Sequence, residues 1–228
     1  MARTPAILFD LDGTLVDPVE GITRSIQYAL ATLRQPVPAT EQLLWCIGPP
    51  LMESFERLLE TPSAELAAQA LNHYRRRYNR SGKFENRVYP HIPQALETLK
   101  DAGARLFIAT AKPTIFASQI AAHFQLDQYF EAVYGSELSG ERSDKGELIA
   151  HILATEGLEP SETTMVGDRR HDIIGARQNR IKAVGVAYGY GGPEELAEAG
   201  ADMIVEKPEA LSGIADRGLE TSKDPSRA

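Results

Sequence analysis

Hydrophobic positions along this chain change their spacing in a definite order. An unbroken apolar run, Ala6-Ile7-Leu8-Phe9, leads into Asp12-Gly13-Thr14. A short run stopped by turn residues predicts a fully buried strand. From Val16 to about Asn86 the apolar residues recur every three or four positions, in GITRSIQYALATLR, TEQLLWCI, PLMESFERLLE and SAELAAQALNHYRRRYNR. That spacing predicts a block of helices containing no strand. Its breaks fall at Gln35-Pro36-Val37-Pro38, Ile47-Gly48-Pro49-Pro50 and Thr61-Pro62, with Ser63 as an N-cap.

Beyond Ser81-Gly82-Lys83 the spacing alternates. HIPQALETLKDAG predicts a helix ending at Gly103, ARLFIAT a strand, and PTIFASQIAAHFQL a helix with Pro113 in its first turn. FEAVYGS, TTMVGD, KAVGVAY and ADMIVE predict further strands, separated by the helical patterns KGELIAHILATEGL, HDIIGARQNR and PEELAEAG. Strands divided by helices imply βαβ crossovers. The expected fold class is α/β: a doubly wound parallel sheet, with a small all-helical insertion placed just after the first strand. The α/β core spans residues 1–15 and 87–216, the insertion 16–86, and the polar tail 217–228 is expected to be disordered.

Composition narrows the partners. The 228 residues carry a formal net charge of -8 and are 43% hydrophobic and 25% charged, ordinary for a globular protein. An acidic surface repels nucleic acid and anionic membranes. The single cysteine, Cys46, lies among apolar neighbours in LLWCIG and cannot form an internal disulfide, which points to packing and a reducing compartment. The N-terminal apolar run is too short for a signal peptide, and no stretch approaches a membrane span, so a cytoplasmic protein is expected.

The candidate chemistry sits at the ends of the expected strands, where open parallel sheets bind ligands. The first strand ends in Asp10-Leu11-Asp12-Gly13-Thr14, the second in Thr110, and a later one in Gly167-Asp168 with Asp172 four residues on. Lys145 opens a helix in SDKGEL. Brought together, these would form a cluster of carboxylates needing a cation, and an all-oxygen donor set favours Mg2+ over zinc. Asp10 is then the candidate nucleophile. Thr110, Lys145 and backbone groups near Leu11, Asp12, Gly13 and Ala111 are candidates to bind phosphoryl oxygens, and Asp12 is the candidate general acid and base. Asp168 is a candidate metal ligand; Asp172 either ligates, directly or through water, or orients Lys145.

DLDGTL, Thr110 in FIATAKP, Lys145 and GDRRHD together resemble the haloacid dehalogenase superfamily of phosphatases. The helical insertion is similar to that superfamily's cap. IGPPLMESF, GSELSGERSDKGELI and AYGYGGPEELAEAGAD resemble its phosphoglycolate phosphatase-like branch, some of whose near kin are called 5'-nucleotidases. The resemblance runs over roughly residues 5–215. It implies Mg2+ held by the side chains of Asp10 and Asp168 and by the backbone carbonyl of Asp12. It implies a small phosphorylated metabolite as substrate; the acidic charge balance leaves neither nucleic acid nor membrane as an expected partner, and a monomer or homodimer is expected. It also implies that the turn at Gly48 and Pro49 helps choose the substrate, where the residues alone equally suit a plain helix–helix connection.

Two other activities share this fold. A phosphomutase of the β-phosphoglucomutase type usually carries DGVxxDT where this chain reads DGTLVDP. A non-catalytic binding module would not need the acid cluster. Arg75-Arg76-Arg77 is expected to be a solvated face, and Tyr188-Gly189-Tyr190 a packing and loop segment.

Overall fold

The computed structural model describes residues 4–59 and 63–214. Six strands form one parallel sheet: β1 (Ala6–Phe9), β4 (Arg105–Pro113), β5 (Ala132–Ser136), β6 (Thr163–Gly167), β7 (Lys182–Val186) and β8 (Met203–Val205), in the order β5-β4-β1-β6-β7-β8. β1 is central. Ala6 aligns with Arg105 of β4 on one side and with Thr163 of β6 on the other.

Side chains alternate across the sheet, and each face has its own helices. Ile7 and Phe9 of β1, with Leu106, Ile108 and Val166, pack towards α4 (Ile92–Asp101) and α5 (Thr114–His123). Ala6 and Leu8, with Phe107, Ala109 and Met165, pack towards α6 (Lys145–Glu156), α7 (Arg170–Gln178) and α8 (Gly192–Glu198). After β1 the chain moves to β4 and β5, then returns to the other side of β1 for β6. The crossovers therefore part at β1, opening a crevice beyond the carboxyl ends of β1 and β6.

The helical insertion, called the cap below, holds α1 (Val19–Thr32), α2 (Leu51–Leu58) and α3 (Ala64–Arg80). Ser63 caps α3, accepting from Leu66 N at 3.3 Å. Thr61 and Pro62 lie outside the described residues, as does the tail 217–228.

Three expectations need correction. The block is not free of strands: β2 (Val16–Asp17) pairs antiparallel with β3 (Arg87–Val88), joining the two chain segments that enter and leave the cap. Two residues are too few for a period to register. TEQLLWCI is a 3-10 helix over Thr40–Cys46, not an α-helix. β4 runs on to Pro113 because its register with β5 shifts between Ala109 and Pro113, so this proline precedes α5 rather than sitting in its first turn. At the cap's base, Gly21 lies so close to Gly82 that a Cβ there would overlap the Gly82 carbonyl; any side chain would push the two segments apart. Among the described residues no helix is long and apolar enough to cross a membrane.

Leu8 is fully buried in the central strand. Leu8→Ala is expected to cost about 2–5 kcal/mol in urea unfolding at neutral pH. A loss under about 1 kcal/mol would mean that β1 does not anchor the core.

Candidate active site

The end of β1 delivers Asp10 into the crevice, and a tight turn carries Asp12 beside it. Gly13 makes that turn possible. Its φ is +81°, and a Cβ would overlap the Asp168 carboxylate. Asp168 follows β6, the neighbouring strand, and is fully buried. Asp172 sits in the first turn of α7, where its Oδ2 accepts from Arg169 N at 3.1 Å.

Lys145 is the first residue of α6, whose N-cap, Asp144, accepts from Glu147 N at 3.0 Å. Gly175 of α7 lets the two helices close on each other at this point, since a Cβ would stand 2.9 Å from the Lys145 backbone. The ammonium therefore reaches inward. It lies 3.0 Å from Asp10 Oδ1 and 2.8 Å from Asp172 Oδ1, and donates to Ala109 O at 2.8 Å. Two of its protons are donated, to Asp10 Oδ1 and to the Ala109 carbonyl, while the contact with Asp172 is an ion pair.

Carboxylate oxygens of Asp10, Asp168 and Asp172 lie within 4.8 Å of one another. Burial sets the electrostatics. It pushes the Asp168 carboxyl well above the usual range, helped by the charges of Asp10 and Asp172. It pushes Asp172 up to about 6 against the pull of Lys145. Burial alone would lower the Lys145 ammonium, but Asp10 and Asp172 outweigh it and hold it above its ordinary value. Such a group of acids can take a divalent cation.

The Asp12 carboxylate stands outside this trio. Its Oδ2 is 2.7 Å from Nζ of Lys112, and its Oδ1 is buried with no hydrogen-bond partner. Burial raises its pKa, with Lys112 opposing. Thr110 is buried at the end of the regular part of β4, and its Oγ1 accepts from Lys112 N at 3.2 Å.

A cavity of about 650 Å3 opens over these groups. Asp10, Asp12, Thr110, Ala111, Lys145 and Asp172 line its floor, and Gly48 and Pro49 contribute from the cap. Gly48 touches Arg169, where a Cβ would come within 2.8 Å of the side chain, and the Arg169 guanidinium donates to the Ile47 carbonyl while pairing with Glu195. This turn is therefore both a helix connection and a wall of the cavity. Cys46 is buried, and burial pushes its thiol up to about 12, as suits a packing residue.

Several contributors escaped the sequence reading. Lys112 follows the expected strand by two residues, and its only signal was a cation in FIATAKP. Tyr78 on α3 accepts from Lys112 Nζ at 2.6 Å. Tyr190, read as a loop residue, donates its N–H to Asp168 Oδ2 at 2.8 Å and its hydroxyl to Asp17. The expected arginine face is only partly solvated: Arg75 donates to Leu138 O at 3.0 Å, and Arg77 pairs with Glu85 at 2.9 Å.

Known proteins carry the same pattern. A family model described as haloacid dehalogenase-like hydrolase matches residues 7–186. A 5'-nucleotidase of Pseudomonas aeruginosa is 50% identical over 194 residues, 85% of this chain and 87% of its own. Tyrosine-protein kinase PtkA of Mycobacterium tuberculosis is 38% identical over 87% of this chain and 67% of its own. The crystal structure of a predicted phosphatase from Clostridium acetobutylicum superposes with a TM-score of 0.89 at 40% identity, covering 95% of this chain and all of that one. The strand-end carboxylates, the parallel sheet and these likenesses agree: the chain belongs to the haloacid dehalogenase-like hydrolases and is an enzyme of their phosphatase kind.

Proposed function

We propose that the protein is a magnesium-dependent phosphomonoesterase that hydrolyses a small phosphorylated metabolite through an aspartyl-phosphate on Asp10. The observation that carries this reading is the buried meeting of Asp10, Asp168 and Asp172 around Lys145, beside Asp12.

The residues fit a divalent cation. Asp168 Oδ1 is buried and has no hydrogen-bond partner among the described residues, so it lacks the compensation that a buried carboxylate requires. The donor set is all oxygen, which suits Mg2+. Asp10 and Asp168 would hold the ion by their side chains, Asp172 directly or through a water, and Asp12 by its carbonyl. When bound, the ion offsets the repulsion between Asp10 and the phosphoryl oxygens.

The chain's own residues account for the remaining steps. Lys145 fixes one oxygen of Asp10 and keeps the carboxylate aligned. An Asp10 oxygen attacks phosphorus, and the bond from phosphorus to the leaving oxygen breaks. Asp12 gives that oxygen its proton, then takes one from the water that cleaves the acyl-phosphate. Thr110, Lys145 and the backbone at Asp12 and Ala111 bind the phosphoryl oxygens; Gly13, expected to share in this, instead gives its N–H to the Val16 carbonyl at 2.8 Å. The cap covers the site and restricts access of bulk water.

For the substrate, two observations favour a nucleoside 5'-monophosphate over phosphoglycolate. The relative at 50% identity bears the name 5'-nucleotidase. The cavity, at about 650 Å3, has Leu71, Tyr74 and Phe116 in its wall, an apolar and aromatic lining suited to a ligand larger than a two-carbon acid.

Asp10→Asn is expected to lower kcat on a nucleoside 5'-monophosphate by at least about 10^3-fold while leaving the circular dichroism spectrum unchanged. Substantial remaining turnover would remove the covalent mechanism. A panel of phosphorylated metabolites assayed with and without Mg2+ is expected to place nucleoside monophosphates above phosphoglycolate in kcat/KM; the reverse order would refute the substrate assignment.

Metal binding carries its own pH signature. The raised values of Asp168 and Asp172 mean that the cation-free folded protein binds protons more tightly than the unfolded chain does. The stability they contribute is thus present at low pH and lost as pH rises, for Asp172 through about 6 and for Asp168 above the usual carboxylate range. A cation must displace those protons, so its affinity rises over the same interval. In chelator-treated protein, MgCl2 is expected to raise Tm clearly at pH 7.5 and little at pH 5. Equal shifts at both would show that these carboxylates do not bind the ion.

A further inference from the structure

The phosphatase reading uses Asp12 as general acid but leaves its geometry unexplained. A carboxylic acid has two oxygens, and only one of them can carry the proton to the leaving group. Asp12 Oδ2 is 2.7 Å from Lys112 Nζ, with the lysine side chain 7% exposed and that of Asp12 11%. Asp12 Oδ1 has no hydrogen-bond partner among the described residues. A cation held against Oδ2 disfavours a proton there and directs it to Oδ1.

Lys112 is itself tightly placed. Its backbone N–H donates to Thr110 Oγ1 at 3.2 Å, and a Cβ on Gly135 of β5 would overlap its carbonyl. The register shift after Ala109 carries the chain through this position. Beside its ion pair with Asp12, the ammonium donates to Tyr78 Oη at 2.6 Å and lies 4.6 Å from the centre of the same ring. Tyr78 belongs to the cap helix α3 and is 1% exposed. Its ring stacks on Tyr74 at 5.2 Å and 11°, and meets the edge of Phe116 at 5.7 Å. The chain of contacts Tyr78–Lys112–Asp12 therefore crosses from the cap to the reacting carboxyl.

On the phosphatase reading above, we infer that Lys112 is a positioning residue that fixes which oxygen of Asp12 serves the leaving group, and that Tyr78 anchors Lys112 from the cap. Lys112 neither attacks phosphorus nor donates the transferred proton. In the first step the proton on Asp12 Oδ1 passes to the leaving oxygen as the phosphorus–oxygen bond breaks, leaving the carboxylate paired with Lys112. In the second, the attacking water returns a proton to Oδ1.

Leaving groups provide the test, because an alkoxide needs protonation as it departs and 4-nitrophenolate does not. For Lys112→Met, the rate of the first, phosphoryl-transfer step in single-turnover experiments is expected to fall about 10^2-fold on a nucleoside 5'-monophosphate and less than about fivefold on 4-nitrophenyl phosphate, with KM little changed on either; the second step is common to both substrates and is kept out of the comparison. Tyr78→Phe keeps the packed ring and removes only the hydroxyl. It is expected to show the same selective loss at about fivefold on the nucleotide, and it decides the matter alone if Lys112→Met does not fold. Equal losses on the two substrates, or a change confined to KM, would overturn the positioning role. Asp10→Asn tested beside them separates the two ideas: hydrolysis of 4-nitrophenyl phosphate persisting in that variant would overturn the covalent reading and this proposal with it, whereas its loss alongside a non-selective Lys112→Met would overturn the positioning role alone.

Discussion

Buried like charges set the terms for this molecule. Asp10, Asp12, Asp168 and Asp172 are each no more than 8% exposed, and carboxylates that near one another repel strongly away from water. Two buried lysines answer part of that repulsion. Lys145 bridges Asp10 and Asp172, and Lys112 holds Asp12. Asp168 accepts a hydrogen bond from the Tyr190 amide and feels the neighbouring charge of Arg169, and among the described residues no lysine reaches it. The acid trio is left with more negative charge than the two lysines answer, which is the condition under which a site can take a cation.

The fold serves that constraint. The acids come from segments far apart in sequence, and only a parallel sheet with β1 at its centre brings their strand ends side by side. Helix starts supply the rest, with Lys145 opening α6 and Asp172 in the first turn of α7. The cap then lowers local polarity by placing Tyr74, Tyr78 and Leu71 over the cleft. Charge interactions strengthen wherever such apolar side chains take the place of water.

Much of this was legible in the sequence because it rests on local rules. An apolar run halted by acids gave β1, and three- and four-residue spacing marked the long helices. The DLDGTL and GDRRHD segments pointed to the strand ends that meet. What escaped depends on tertiary geometry. β2 and β3 are two residues each and exist only because they find one another. Lys112 reads as an ordinary surface lysine until the register shift in β4 is seen. Tyr78 falls on the apolar face of a helix, and periodicity cannot separate tyrosines that fill a core from one whose hydroxyl meets an ammonium. The Tyr190 amide is invisible to residue-type reasoning, since any non-proline residue could supply it.

The placement of β1 has a consequence for how the chain is made. Of the sheet strands, the one bearing Asp10 is the earliest in the sequence, yet one of its pairing partners lies past the whole cap and the other, β6, follows both β4 and β5. Until both are synthesised, this strongly apolar segment has exposed edges and no sheet to join. Nascent chains halted before β6 would therefore be sticky and inert, and the enzyme would acquire its cleft in one late, cooperative event.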